Sequence, residues 1–274
     1  MAQLTLADGS IYHERRGSGP PILFIQGIGV TGSGWGPQVE ELSRDFDCIS
    51  FDNRGIGRST SATKRLTVVQ MAADARALMD EVGWTSAHVV GHSMGGMIAQ
   101  QLALDAPSRV RSLSLLCTFS RGAEGARLTP WVLWMSLRTR IGSRAARRRA
   151  FLEMLYPREY LATVSLDELA SSLAPVIGRD LADQPPILMK QLGALSGHDC
   201  SARLKALAHI PTLVISATHD PIAAPRYGIR LAELIPGARF LEMPDAAHGV
   251  PIQSPELVNR LLREHMQAAD QPVS

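Results

Sequence analysis

A chain of 274 residues is long enough for one large domain with a sizeable core, or for one domain carrying an insertion. Its 28 basic and 26 acidic residues leave a formal charge of +2, too weak a field to hold nucleic acid or an anionic membrane by charge alone. Cys48, Cys117 and Cys200 are odd in number and widely spaced, which predicts reduced thiols rather than a disulfide framework.

The first eight residues lack both a basic start and an apolar core, so no secretory signal is read and a cytoplasmic protein is expected. Residues 4–6 and 11–15, around Asp8-Gly9, predict a hairpin that opens a sheet antiparallel. Short apolar runs then recur at 22–26, 48–51, 87–91, 112–117, 212–216 and 239–243, as buried parallel strands require. Between them, 67–82, 94–105, 225–234 and 254–266 place apolar residues at three- and four-residue steps, the period of an amphipathic helix. Two uncharged stretches, 17–39 and 82–104, are long enough to raise a membrane span. The first holds seven Gly and three Pro and the second four Gly with two His, so neither is read as one.

The alternation stops between about Ser120 and Ser196, where helical patterns at 128–138, 143–155 and 166–173 stand without a strand. The predicted architecture is therefore α/β: a mostly parallel central sheet with helices on both faces, formed by 1–119 and 197–274, and a helical cap inserted at 120–196. In open α/β sheets the ligand crevice lies at the carboxyl ends of the strands, which makes the cap the roof of the site.

The sharpest motif is Gly91-His92-Ser93-Met94-Gly95, a G-x-S-x-G that leaves a strand and opens a helix directly. A strained strand-to-helix turn exposes the serine hydroxyl and leaves no room for side chains two positions before or after it. The same turn aims the Met94 N–H and the positive helix end at an oxyanion beside Ser93. A serine also needs a base, and the base needs an acid to set its tautomer. After the run at 212–216 comes His219-Asp220-Pro221, and after that at 239–243 comes Asp245-Ala246-Ala247-His248. Asp220 and His248 are the candidates, with Asp245 a turn former. His88, inside a strand, and His92, pointing away from Ser93, are read as structural. The second oxyanion donor is placed on the Ile28 N–H, in the loop after the first central strand.

A rival pattern overlaps that loop, because Gly27-Ile28-Gly29-Val30-Thr31-Gly32 matches G-x-G-x-x-G with Asp52 downstream. A dinucleotide site needs the third glycine at the opening of a helix, and helical periodicity begins only after Pro37. A receptor-like binding protein with an intact serine, acid and base is the other rival.

With these residues in place, the chain resembles the serine α/β-hydrolase superfamily. Asp52-Asn53-Arg54-Gly55-Ile56-Gly57-Arg58-Ser59 is similar to that family's D-x-R-G-x-G-x-S segment, whose Arg and Asp are structural. The cap and Trp35 resemble 3-oxoadipate enol-lactonase-like enzymes, small carboxylesterases and cofactor-free haloperoxidases. Gln26 stands where the family commonly has His, and Ala217 where Gly is common. The resemblance implies hydrolysis of a carboxylic ester or lactone through an acyl-enzyme on Ser93, with perhydrolase or carbon–carbon hydrolase chemistry as alternatives on the same residues. No cofactor and no metal are implied, and no metal-ligand spacing is present. The expected partner is a small-molecule substrate, with no nucleic acid and no membrane, and self-association stays open.

Candidates for the substrate pocket are Trp35, Trp131, Trp134, Met135, Ile222 and Val250. The spacing of Trp131, Trp134 and Met135 suits plain packing as well as a pocket. The arginines at 138, 140, 144, 147, 148 and 149 lack interleaved aromatics, so a solvated helix face or a partner contact is preferred over a nucleic-acid surface.

Overall fold

The computed structural model describes residues 2–63, 65–125 and 130–271. The predicted hairpin is present: β1 (Ala2–Leu6) pairs antiparallel with β2 (Gly9–Arg16), Leu4 opposite Ile11. The sheet continues through β3 (Pro21–Ile25), β4 (Asp47–Phe51), β5 (Thr60–Ser61), β6 (Ala87–His92), β7 (Val110–Leu116), β8 (Thr212–Ala217) and β9 (Arg239–Met243). Its order is β1-β2-β4-β3-β6-β7-β8-β9, with β5 on the flank of β2. Every pair from β4 to β9 along that order is parallel, whereas β2 meets β4 antiparallel. Every residue of β4, β6 and β8 is buried, and that two-sided burial is why these strands read as continuous apolar runs. β5 escaped the sequence reading because two residues carry no period.

Helices cover both faces. α1 (Gly36–Leu42) follows a 3-10 turn at Gly32–Trp35. α2 (Val68–Glu81) starts where the Thr67 side chain accepts from the Gln70 N–H at 3.1 Å, an N-cap. α3 (Met94–Asp105) is buried from Met94 through Ala103, which accounts for its lack of a polar face.

Between β7 and β8 the described residues form α4 (Gly122–Gly125), α5 (Pro130–Arg138), α6 (Arg144–Leu155), α7 (Arg158–Leu161), α8 (Leu166–Ile177), α9 (Leu188–Ser196) and a 3-10 helix at Ser201–Leu207, with a single antiparallel bridge between Arg121 and Asp199. Positions 128 and 129 of the expected helix at 128–138 lie outside the described residues. α8 runs past the predicted end at 173, carries Pro175 inside it and stops at Gly178, whose φ of 83° terminates it. These helices own a second small core, in which Phe151, Leu152, Leu155 and Tyr156 meet Leu173 and Ile177. The arginine run is largely paired: Arg138 and Arg149 with Glu153, Arg144 with Asp180 and Asp183, Arg148 with Asp180.

After β8 come α10 (Pro225–Leu234), α11 (Val250–Gln253) and α12 (Pro255–Asp270). α12 buries Val258, Leu262 and Met266 at four-residue steps. Among the described residues no helix is long and apolar enough to cross a membrane.

Arg54 ties the loop after β4 to α2. Its side chain is 1% exposed and makes two bonds to Asp74, at 2.8 and 2.5 Å, and one to Asp8 at 2.6 Å. Arg54→Met would strand the Asp74 carboxylate, 5% exposed, away from both water and cation. The expected cost is about 3–5 kcal/mol, read as a lower denaturant midpoint at unchanged m-value. A loss below about 1 kcal/mol would mean that the pair is replaceable.

Candidate active site

Ser93 sits at the turn between β6 and α3 with φ 55° and ψ −122°, a conformation that costs energy for any residue with a Cβ. The turn is clamped from several sides. The Ser93 N–H donates to the Leu116 carbonyl at 3.0 Å, and the Ser93 carbonyl accepts from the Gly96 N–H at 3.0 Å and the Thr118 hydroxyl at 2.6 Å. The flanking glycines are sterically required. A Cβ on Gly95 would stand 2.1 Å from the Ile25 carbonyl oxygen, and one on Gly91 would stand 2.4 Å from the Gly95 carbonyl oxygen.

Asp220 and His248 meet although 28 residues separate them. His248 Nδ1 donates to Asp220 Oδ2 at 2.7 Å, and Asp220 Oδ1 accepts the Ile222 and Ala223 N–H groups, each at 2.8 Å. Asp220 is 4% exposed. Burial pushes its carboxylate up, but His248 and the two backbone donors outweigh it and hold the group below the ordinary carboxylate value. Ser93 and His248 line one cavity, and no hydrogen bond joins them in this structure, a contact that in many hydrolytic sites tightens only around substrate.

The loop after β3 passes close to Ser93: a Cβ on Gly27 would lie 3.5 Å from Ser93 Oγ. The Gly27 N–H is taken by Gln26 Oε1 at 2.8 Å. Among the described residues the Ile28 and Met94 N–H groups have no acceptor, so both are available to an oxyanion. The Gln26 substitution noted in the sequence therefore organises the loop and leaves the Ile28 donor in place.

The cavity holds about 220 Å³ and is walled mostly by apolar side chains, among them Phe119, Phe151, Leu155 and Leu188. Trp131, Met135 and Ile222 line it, as does Ile28. Three pocket candidates do not. Trp35 has no exposed surface and packs on Phe24, with ring centroids 5.1 Å apart; apolar contact under the sheet claims it. Val250, also fully covered, starts α11 within the main core. Trp134 is 57% exposed, because α5 turns Trp131 and Met135 inward and its neighbour outward.

Residues outside the serine, acid and histidine brace the site. His92 Nε2 donates to the His248 backbone carbonyl at 2.8 Å, so the residue read as structural holds the histidine loop in place. Thr118, whose hydroxyl braces the Ser93 carbonyl, follows the end of β7 and belongs to no motif. Asp245 is exposed and its carbonyl accepts from Gln253, in keeping with a turn former.

Burial pulls His88 down to about 4 and, with help from neighbouring His248, His92 down to about 3. The unfolded chain takes up a proton at each near the ordinary 6.5, whereas the folded protein does not. Their contribution to stability is whole above pH 6.5 and is lost as pH falls toward 4 for His88 and toward 3 for His92. Melting temperature should drop between pH 6.5 and 4, and His88→Gln should flatten that slope; an unchanged slope would contradict the assignment.

Neither a metal nor a dinucleotide suits the residues present. Ligand atoms of His92, Cys117 and His248 lie within 4.8 Å of one another. His92 Nε2 and His248 Nδ1, however, are held by the bonds above, and burial together with Asp220 pushes the Cys117 thiol well up, so no thiolate is offered. Cys48, Cys117 and Cys200 are all free and buried. In the glycine loop, Asp52 spends its carboxylate on the Gly32 and Arg58 N–H groups at 2.7 and 2.9 Å, leaving none for a ribose.

Known proteins are similar to this chain in sequence and in fold. A protein of Azorhizobium caulinodans, named as a proposed carbamate hydrolase RutD, is 31% identical over 258 residues, covering 93% of this chain and 94% of its own. A Mycobacterium tuberculosis protein named as a proposed non-heme bromoperoxidase, BpoC, is 32% identical over 272 residues, covering 91% of this chain and 95% of its own. The enol-lactonase structure from Burkholderia xenovorans LB400 superposes with a TM-score of 0.80 at 25% identity, over 97% of this chain and all of that one. The family model for the alpha/beta hydrolase fold matches residues 20–255. With that match spanning most of the sheet and all the residues of the site, the chain belongs to the α/β hydrolase fold family.

Proposed function

We propose that the protein hydrolyses small carboxylic esters or lactones by acyl transfer through Ser93, His248 and Asp220. The observation that carries the reading is the strained Ser93 turn facing the same cavity as an imidazole already fixed by a buried carboxylate. Ser93 Oγ attacks the acyl carbon while its proton passes to His248 Nε2. Asp220 stabilises the imidazolium, and the Ile28 and Met94 N–H groups receive the oxyanion. His248 then gives its proton to the departing alkoxide, which leaves as the alcohol. Water loses a proton to His248 and attacks the acyl-serine; the acid departs and the proton returns to Ser93. One water and one ester yield one acid and one alcohol.

The cavity volume, at the small end for ligand sites, favours short acyl groups. Release of p-nitrophenol from acetate, butyrate and octanoate esters, with a lactone panel alongside, tests the reading. Rates should fall from acetate or butyrate to octanoate. Absence of turnover on every ester and lactone would count against it.

A further inference from the structure

The helical segment between β7 and β8 arranges its charges unevenly. Arg138, Arg144, Arg148 and Arg149 on its outer surface have carboxylate partners, as described above. Among the described residues Arg179, which lines the cavity with Ser93 and His248, has no carboxylate at ion-pair distance, and Asp183 acts on it only from further off. Its two nearest acids in sequence face elsewhere: Asp180 pairs with Arg144 and Arg148, and the Asp183 carboxylate pairs with Arg144. Among the described residues Arg179 bonds only to backbone, Nε to the Asp183 carbonyl at 2.9 Å and Nη1 to the Gly29 carbonyl. A guanidinium carries five N–H groups, so three remain beyond those two bonds.

The surroundings penalise that charge. Phe151 offsets only a little of that cost: the guanidinium carbon lies over its ring, 5.8 Å from the centroid, a weak cation–π contact. None of the described residues lining the cavity is Asp or Glu, while a second guanidinium, Arg140, stands at the same cavity. Burial pulls Arg179 down to about 10, which leaves it charged at neutral pH. A half-buried cation with no anion in contact is an unfavourable arrangement unless a ligand completes it.

Its position is also informative. Gly29 follows Ile28, the proposed oxyanion donor, and Arg179 holds the Gly29 carbonyl while Gln191 Oε1 accepts the Gly29 N–H at 2.9 Å. The free donors of Arg179 are therefore anchored on the loop that borders the reacting centre.

Resting on the hydrolase reading above, we infer that Arg179 is a specificity-determining residue that binds a carboxylate carried by the substrate. The substrate class is thus a short ester or lactone bearing a second, ionised carboxyl group.

Two matched substrate pairs test this: mono-4-nitrophenyl glutarate against its methyl ester, and 4-acetoxybenzoate against its methyl ester. They place the anion on the acyl and on the alcohol side. In at least one pair the wild type should prefer the anion by about tenfold or more in kcat/KM, through KM, as one charged hydrogen-bonded contact allows. Arg179→Met should lower that ratio by about tenfold to a hundredfold, whatever common loss a loosened Gly29 loop imposes on both members, and Arg179→Lys should restore part of it. Equal loss on both members in Arg179→Met would make Arg179 a loop anchor only and overturn the inference. So would a wild type that prefers the neutral member in both pairs.

A turnover-independent arm separates this from failure of the hydrolase reading. A fluorophosphonate probe should label Ser93, and glutarate should protect wild type but not Arg179→Met. Absence of both labelling and hydrolysis would sink the hydrolase reading. Calorimetric titration with glutarate then decides the inference alone: Arg179-dependent binding supports it, and no binding overturns it.

Discussion

Ser93→Ala should lower turnover of short p-nitrophenyl esters by about 10⁴- to 10⁶-fold, since a nucleophile and its base act as a unit. Alanine keeps the Cβ in the same place at the same strained φ, and the clamp on the turn uses only backbone atoms of Ser93 with Leu116, Gly96 and Thr118. Melting temperature should therefore stay close to that of the wild type, which separates lost chemistry from lost fold. A residual rate above water is expected, because the Ile28 and Met94 donors survive. Wild type should also release a burst of p-nitrophenol equal to the enzyme concentration if deacylation limits turnover. Near-normal steady-state rates in Ser93→Ala would dispose of the acyl-enzyme scheme.

Asp220→Asn should cost about 10³- to 10⁴-fold in kcat, by a different route. Asparagine can still accept the Ile222 and Ala223 N–H groups now held by Oδ1, so the loop keeps its shape. Its amide, however, would donate to His248 Nδ1, where the carboxylate accepts at 2.7 Å. The imidazole proton is then driven to Nε2, the nitrogen that must accept the Ser93 proton. Because Asp220 is held below the ordinary carboxylate value, it stays ionised through the neutral range. Its bond to His248 stabilises the fold above the carboxylate titration and loses that contribution as pH falls through it. Activity within tenfold of wild type would show that tautomer control is not what Asp220 supplies.

Much of the molecule was legible because its signals are local. The G-x-S-x-G junction, the acid and histidine after later apolar runs and the positions of the six parallel strands all depend on neighbours along the chain. Pro37, Thr67 and the glycines punctuate the chain for the same reason. Helix ends were less legible: α8 runs on through Pro175 to Gly178, and α9 was missed because its nine residues offer little more than two turns of pattern.

What the sequence by itself determined is thus the α/β architecture, the order of serine, acid and histidine, and the helical segment between the strands. Tertiary structure alone decided which side chains face the cavity. α5 is apolar on nearly every side, so its period could not choose between Met135, 2% exposed, and Trp134, 57% exposed. Only packing against α6 breaks that symmetry. The same holds for Arg179 among the arginines of its segment: charge is written in the sequence, but whether a carboxylate reaches it depends on how separate helices lie together.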